Sequence, residues 1–421
     1  MRPPAPTGDP APREGRIGAV ILGGAHGSLA VARSLGRRGA PVWFVTHDHP
    51  IAGFSRHVAR RFDWAGPGDP GAAAFLLDLA ARHRLDRWVL FAGGDDEVRF
   101  VAQNHALLGS AFRLTTPPWS VVRLACDKRL THRHALVVGV DSPWSSFPRD
   151  RREVAALDCR FPVILKPTFR AARNAFTLAK AWRADDRAAL LARYDEAAAL
   201  AGPEAILIQE MIPGAGDVQY SYAAVWSLGE PVASLVARRA RQYPIDFGFT
   251  STSVETIDQV VVEQAARRFL GGTRFSGLVE IEFKYDFRDA RYKLLDVNPR
   301  PWTWIGLGAA AGIDLPHIAW RLACGETAPP SRGRPGALWT HASRDAAAAA
   351  LQVLRGGLRA RDYAASLARP TAYAAFAWDD PVPAFVDLPI LLARILQRRF
   401  GARAPAHALA AGAGSPLFRA E

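Results

Sequence analysis

The residues richest in chemistry lie in two short runs. Gly277-Leu278-Val279-Glu280-Ile281-Glu282-Phe283-Lys284-Tyr285 is followed, after a polar turn, by Tyr292-Lys293-Leu294-Leu295-Asp296-Val297-Asn298-Pro299-Arg300. Both alternate as strands do, successive side chains pointing to opposite faces. Glu280, Glu282 and Lys284 then share one face and Val279, Ile281 and Phe283 the other, while Asp296 and Asn298 share a face of the return strand. A hairpin turning near Asp289 sets Glu282 opposite Asp296 and Glu280 opposite Asn298. Opposed residues have Cβ atoms about 4.5–5.5 Å apart, and like charges there are destabilising, so something positive must compensate them. Hard oxygen donors clustered in this way suit magnesium carried by nucleotide phosphates. A solvated hairpin face paired with arginines meets the same spacing, and spacing alone does not choose between the two.

Cations are distributed unevenly by type. Of 53 basic residues only 5 are lysines, leaving 53 − 5 = 48 arginines, so each lysine carries information. Lys128 follows Asp127, and Lys166 ends the apolar run Val163–Leu165. Arg238-Arg239-Ala240-Arg241 precedes a glycine- and hydroxyl-rich segment running to Ser253. Such a segment suits a lid over anionic reactants, with Arg239 and Arg241 on one strand face and Arg238 on the other.

These motifs, in this order, resemble the ATP-grasp superfamily. Asp-Val-Asn-Pro-Arg at 296–300 looks like its Glu-(Ile/Val)-Asn-Pro-Arg signature, with Glu282 as the acid on the preceding strand. Asp127-Lys128 and Phe161-Pro162-Val163-Ile164-Leu165-Lys166-Pro167 look like its two nucleotide lysines, and Ile208-Gln209-Glu210-Met211-Ile212-Pro213-Gly214 looks like its adenine hinge. The resemblance spans roughly 17–312. It implies that Lys128 and Lys166 contact the phosphates of ATP, and that Gln209, Glu210, Met211 and Ile212 offer backbone groups to adenine. Asp217 is the candidate for the ribose. Glu282, Asp296 and Asn298 are implied to hold Mg2+, with Arg300, Arg238 and Arg241 as catalytic cations. The activity implied is a ligase joining a small-molecule carboxylate to an amine through an acyl phosphate, or a biotin-carboxylase-like enzyme activating bicarbonate. A nucleotide-binding module without turnover would keep the same motifs. Two departures stand out: the loop 168–176 contains no glycine, and Asp296 stands where glutamate is usual.

The elements that must position these residues are α/β. Ile17–Leu22, the turn Gly23-Gly24-Ala25-His26-Gly27 and a helical run to Arg38 begin an alternation predicting a parallel sheet with ligands at the carboxyl ends of its strands. Within it Gly24, His26 and Ser28 are candidate carboxylate contacts. Asp48 lies where dinucleotide-binding folds place a ribose acid, which keeps a nicotinamide oxidoreductase open as a rival reading. The expected organisation is a disordered leader at 1–15, a Rossmann-like lobe at 16–118, an ATP-grasp domain at 119–328 with a small central lobe and a C-terminal magnesium-binding lobe, and a helical appendage at 329–421.

Composition narrows the classes. The formal charge of +13 is scattered, without a run of five or six like charges, which argues against nucleic acid. Three distant cysteines make neither a metal motif nor a disulfide framework, pointing to the cytoplasm. No stretch of about 18 apolar residues is present, so no integral membrane segment is expected. A homo-oligomer is left open.

Overall fold

The computed structural model describes residues 17–168, 174–179, 181–214, 216–243 and 250–401. The expected leader, most of the glycine-free loop and the tip of the lid segment therefore lie outside the described residues.

The first sheet contains β1 (Ala19–Leu22), β2 (Val42–Thr46), β3 (Arg60–Asp63), β4 (Val89–Ala92) and β5 (Arg113–Leu114), in the order β3-β2-β1-β4-β5. All its pairings are parallel. β1, Ala-Val-Ile-Leu, is buried on both faces, as a central parallel strand covered by helices must be. At the end of β1, Gly23 and Gly24 have φ of +58° and +75°, and a Cβ on Gly24 would lie 2.3 Å from Ser28 Oγ. Glycine makes that turn possible.

A second, antiparallel sheet contains β6 (Ser145–Ser146), β7 (Val163–Pro167), β8 (Trp182–Ala184) and β9 (Ile206–Glu210), in the order β6-β9-β7-β8. Val163, Leu165, Ile206 and Ile208 pack with Leu190 and Tyr194 of the helix Arg187–Ala201 in a core of their own. Alternation leaves Lys166 off this core, which is what frees it for other work.

The third sheet contains β10 (Gln219–Ser227), β11 (Glu230–Tyr243), β12 (Thr250–Ile257), β13 (Gly277–Asp286), β14 (Arg291–Asn298), β15 (Ser331–Arg332), β16 (Leu338–Thr340) and β17 (Ala372–Tyr373). Its main path is β14-β13-β10-β11-β12-β16-β17, and β15 pairs with β11. The region after 329, expected to be helical, thus contributes three short strands as well as the helices Ala342–Leu354 and Val382–Gly401. Arg238 to Tyr243, read as part of a polar lid, is sheet. The helix Trp119–Cys126 ends at Asp127, whose carboxylate caps a new helix, Lys128–Val137, by accepting from Arg129 N at 2.8 Å.

The first and third sheets share their cores. Val20, Leu22 and Leu90 join one cluster with Tyr222, Val279, Ile281 and Phe283. Ile21, Phe44 and Phe91 join another with Val225, Leu235 and Trp302. Among the described residues, no helix is long and apolar enough to cross a membrane.

Candidate active site

The β13–β14 hairpin has the expected register, with Glu282 opposite Asp296 and Glu280 opposite Asn298. The cations that such a face requires are present. Lys128 Nζ donates to Asp296 Oδ1 at 2.6 Å, and Arg239 reaches Glu282 Oε2 at 3.4 Å from the neighbouring part of the sheet. Asn298 bridges the acids by donating to Glu280 Oε2 and Glu282 Oε1, each at 3.3 Å. Ser221 Oγ and Trp304 Nε1 donate to Glu280 Oε1 at 2.9 and 3.1 Å. Burial, followed by the charge of Glu282, pushes the Glu280 carboxyl up to about 7. Glu282, Asp296 and Asn298, with Glu280 behind them, form an all-oxygen donor set in which carboxylates face each other across the hairpin. A hard divalent cation fits that set.

These groups line one cleft. Its walls are Asp95, Asp96, Val98 and Arg99 after β4, Cys126 and Lys128 at the helix break, the end of β7 at Lys166–Thr168, Arg239 and Ser251, the acidic hairpin, and the segment after it with Arg300, Trp302 and Trp304. Arg300 enters from the last of these, pairs through Nε with Asp95 Oδ1, and also donates to Asn298 Oδ1 at 3.4 Å. The cleft therefore has cations on several sides, with carboxylates concentrated on the hairpin and Asp95 and Asp96 on the wall after β4.

The remaining predicted residues are placed less simply. Lys166 Nζ donates to Gln209 Oε1 at 2.9 Å, linking the cleft to the hinge, and Gln209 Nε2 donates in turn to Ser145 Oγ at 3.0 Å. Glu210 spends its carboxylate on Lys293, Arg288 and the Trp144 N–H. Met211 N donates to Pro162 O at 3.2 Å, and Ile212 O accepts from Lys284 Nζ at 2.9 Å. Asp217 is exposed on the short turn Gly216–Val218, and neither it nor Gln209–Ile212 lines the cleft. Arg238 and Arg241 do not line it either. Arg238 is half exposed beside Glu255, and Arg241 makes a two-pronged pair with buried Asp345 at 2.9 and 2.8 Å. The arginine brought into the cleft is Arg239.

Within the first lobe, Ser28 Oγ turns back to Gly23 O at 2.7 Å, His26 Nε2 meets Asp387 at 2.8 Å, and Asp48 pairs with Arg394 at 2.8 Å. Asp48 is thus engaged by the C-terminal helix. The family resemblance assigned no role to Arg239, Glu280 or Trp304, which also line the cleft. Glu280 had a signal, its shared face with Glu282; Trp304 had none.

No protein-family model matches the chain, and no curated protein matches it. Solved structures do. The biotin carboxylase domain of Hydrogenobacter thermophilus 2-oxoglutarate carboxylase, in complex with MgADP, ADP and bicarbonate, superposes with a TM-score of 0.59 at 15% identity, covering 77% of this chain and 73% of that one. The L-amino acid ligase of Bacillus licheniformis gives 0.56 at 14%, covering 77% and 79%. N5-carboxyaminoimidazole synthetase from Staphylococcus aureus gives 0.57 at 13%, covering 75% and 80%. The chain has the ATP-grasp fold. Lys166 from the separately cored second sheet and Asp296 from the acidic hairpin line one cleft.

Proposed function

We propose that this ATP-grasp protein is an ATP- and magnesium-dependent ligase that joins a carboxylate to an amine through an acyl phosphate. The observation that carries the reading is the convergence of Glu282, Asp296 and Asn298 with Lys128, Lys166, Arg239 and Arg300 on a single cleft. Lys128 and Arg239 compensate the hairpin acids, while Lys166 reaches Gln209 and Arg300 reaches Asp95 from other walls of the cleft.

In this reading Lys128 and Lys166 bind the phosphates of ATP, and Lys166 ties the cleft to the hinge through Gln209. Glu282, Asp296 and Asn298 hold magnesium, which when bound neutralises phosphate charge. An oxygen of the substrate carboxylate attacks the γ-phosphorus, the bond to the β-bridging oxygen breaks, and ADP leaves. The amine nitrogen then attacks the acyl carbon, phosphate departs with the electron pair of its C–O bond, and the nitrogen gives up a proton. Two anions must approach each other in the first step. A guanidinium can bridge two oxygens, so Arg239 and Arg300 hold the carboxylate and γ-phosphate together and stabilise the charge that develops between them. Buried Arg239 gains most from the low dielectric around it.

The test is ADP release across panels of carboxylates and amines. A productive pair raises it, and hydroxylamine in place of the amine yields an acyl hydroxamate. ADP release that no carboxylate stimulates would replace the ligase reading with a bare ATPase.

A further inference from the structure

Three side chains from distant parts of the chain meet at the glycine turn of the first lobe. His26 opens the helix His26–Gly36 that follows β1, His341 comes directly after β16, and Asp387 lies in the C-terminal helix. All three are buried, and one nitrogen or oxygen of each lies within 4.8 Å of the others. His26 Nε2 is 2.8 Å from Asp387 Oδ1, and His341 Nδ1 is 3.8 Å from Asp387 Oδ2. The two imidazole rings are 4.4 Å apart between centres.

Hydrogen bonding does not complete this cluster. Ser343 Oγ donates to Asp387 Oδ2 at 2.8 Å and lies 3.2 Å from His341 Nδ1, so the His341 ring directs its Nδ1 proton at that hydroxyl. His341 Nε2 is then a bare lone pair, buried and without a hydrogen-bond partner among the described residues. A histidine kept only for packing should have both nitrogens satisfied.

The spacing fits a coordinated ion. Zinc–nitrogen and zinc–oxygen bonds of about 2.0–2.2 Å, arranged tetrahedrally, set ligand atoms about 3.3–3.6 Å apart. One donor atom from each of the three side chains lies within 4.8 Å of the others, and His26 Nε2 and Asp387 Oδ1 are 2.8 Å apart. Two imidazoles and one carboxylate are a borderline donor set, suited to zinc rather than to magnesium. We infer that His26, His341 and Asp387 form a zinc-type metal site that ties the C-terminal helix to the first lobe. Ligation through Nε2 takes the His26 tautomer that carries its proton on Nδ1, and Ser343 remains to orient the carboxylate.

The full-length protein, stripped with chelator and kept in saturating magnesium, would be titrated with cobalt(II) and then with zinc. The expected result is one equivalent of cobalt with the intense visible bands of a tetrahedral ion, displaced by zinc. Affinity should fall at least tenfold in His341→Gln and Asp387→Asn, and hold in Asp296→Asn, which alters the cleft. His341→Cys should add a thiolate-to-cobalt charge-transfer band. Wild-type protein that develops no tetrahedral spectrum overturns the proposal without any variant, as does zinc binding that both ligand substitutions leave unchanged.

Discussion

Replacing Asp296 by asparagine separates a metal ligand from a structural acid, because the structure sets two opposing stability effects against each other. Asp296 pairs with Lys128 at 2.6 Å, with the two side chains about a quarter and a third exposed. At that exposure such a pair contributes about 0–1 kcal/mol. Asp296 also stands directly across the hairpin from Glu282, and removing one of two opposed carboxylates returns about 0.2–1 kcal/mol. The two changes are of similar size and opposite sign, so the net shift should stay within about 1 kcal/mol, or a few degrees in Tm. Turnover should respond quite differently. Loss of even one transition-state contact worth about 1.4 kcal/mol slows the reaction tenfold, and a lost magnesium ligand should cost at least that. ADP release measured across a magnesium titration, beside a melting curve for each protein, reads both quantities. A variant fully active at low magnesium would return the hairpin to a solvated, structural role. A variant that melts far below wild type would show that Lys128 and Asp296 hold the fold together.

Four further outcomes follow from the same geometry. Lys166→Ala should weaken Mg-ATP binding at least tenfold by isothermal titration; equal affinities would remove Lys166 from the nucleotide site. Arg239→Lys should lower kcat with little change in ATP affinity, the mark of an interaction made mainly in the transition state, whereas Arg238→Ala should leave kcat near wild type; the reverse pattern would contradict the placement of Arg239. Arg241→Ala strands the buried Asp345 carboxylate and should cost about 3–5 kcal/mol in urea denaturation. Glu280 has a folded-state value raised to about 7, so without magnesium it stabilises the protein fully only below about 4.5, and that contribution is lost as pH rises through about 7. Glu280→Gln should remove this slope and gain up to about 3 kcal/mol at pH 8, while leaving stability at pH 4 near wild type; unfolding curves at the two pH values check it.

The pairing of Glu280 and Glu282 with the return strand was legible because strand alternation has a period of two and the turn fell where polar residues cluster, although the ladder shifts register directly after Glu282. Glu282 and Asp296 were therefore set opposite each other by sequence alone, and the isolated Lys128 and Lys166 stood out against 48 arginines. The arginine segment was misread for the same reason. Strict alternation puts Arg239 and Arg241 on one face, but the β11–β12 pairing shifts register between them and again after Arg241. Arg239 then faces Glu282, while Arg241 turns to Asp345, a partner 104 residues away. A bulge of this kind leaves no mark in local pattern. The strands after 329 were hidden because two- and three-residue strands carry too little periodicity to detect. Asp48 was drawn to a nucleotide role by its distance from Gly24, and Arg394, 346 residues on, could not be seen to claim it.

The central claim is that a carboxylate is phosphorylated before the amine attacks. With a productive substrate pair and the carboxylate labelled with oxygen-18, mass spectrometry of the released phosphate tests it directly. The account predicts one labelled oxygen in inorganic phosphate for each ADP formed. ADP accumulating while phosphate stays unlabelled would contradict the acyl-phosphate route and leave a kinase or a bare ATPase in its place.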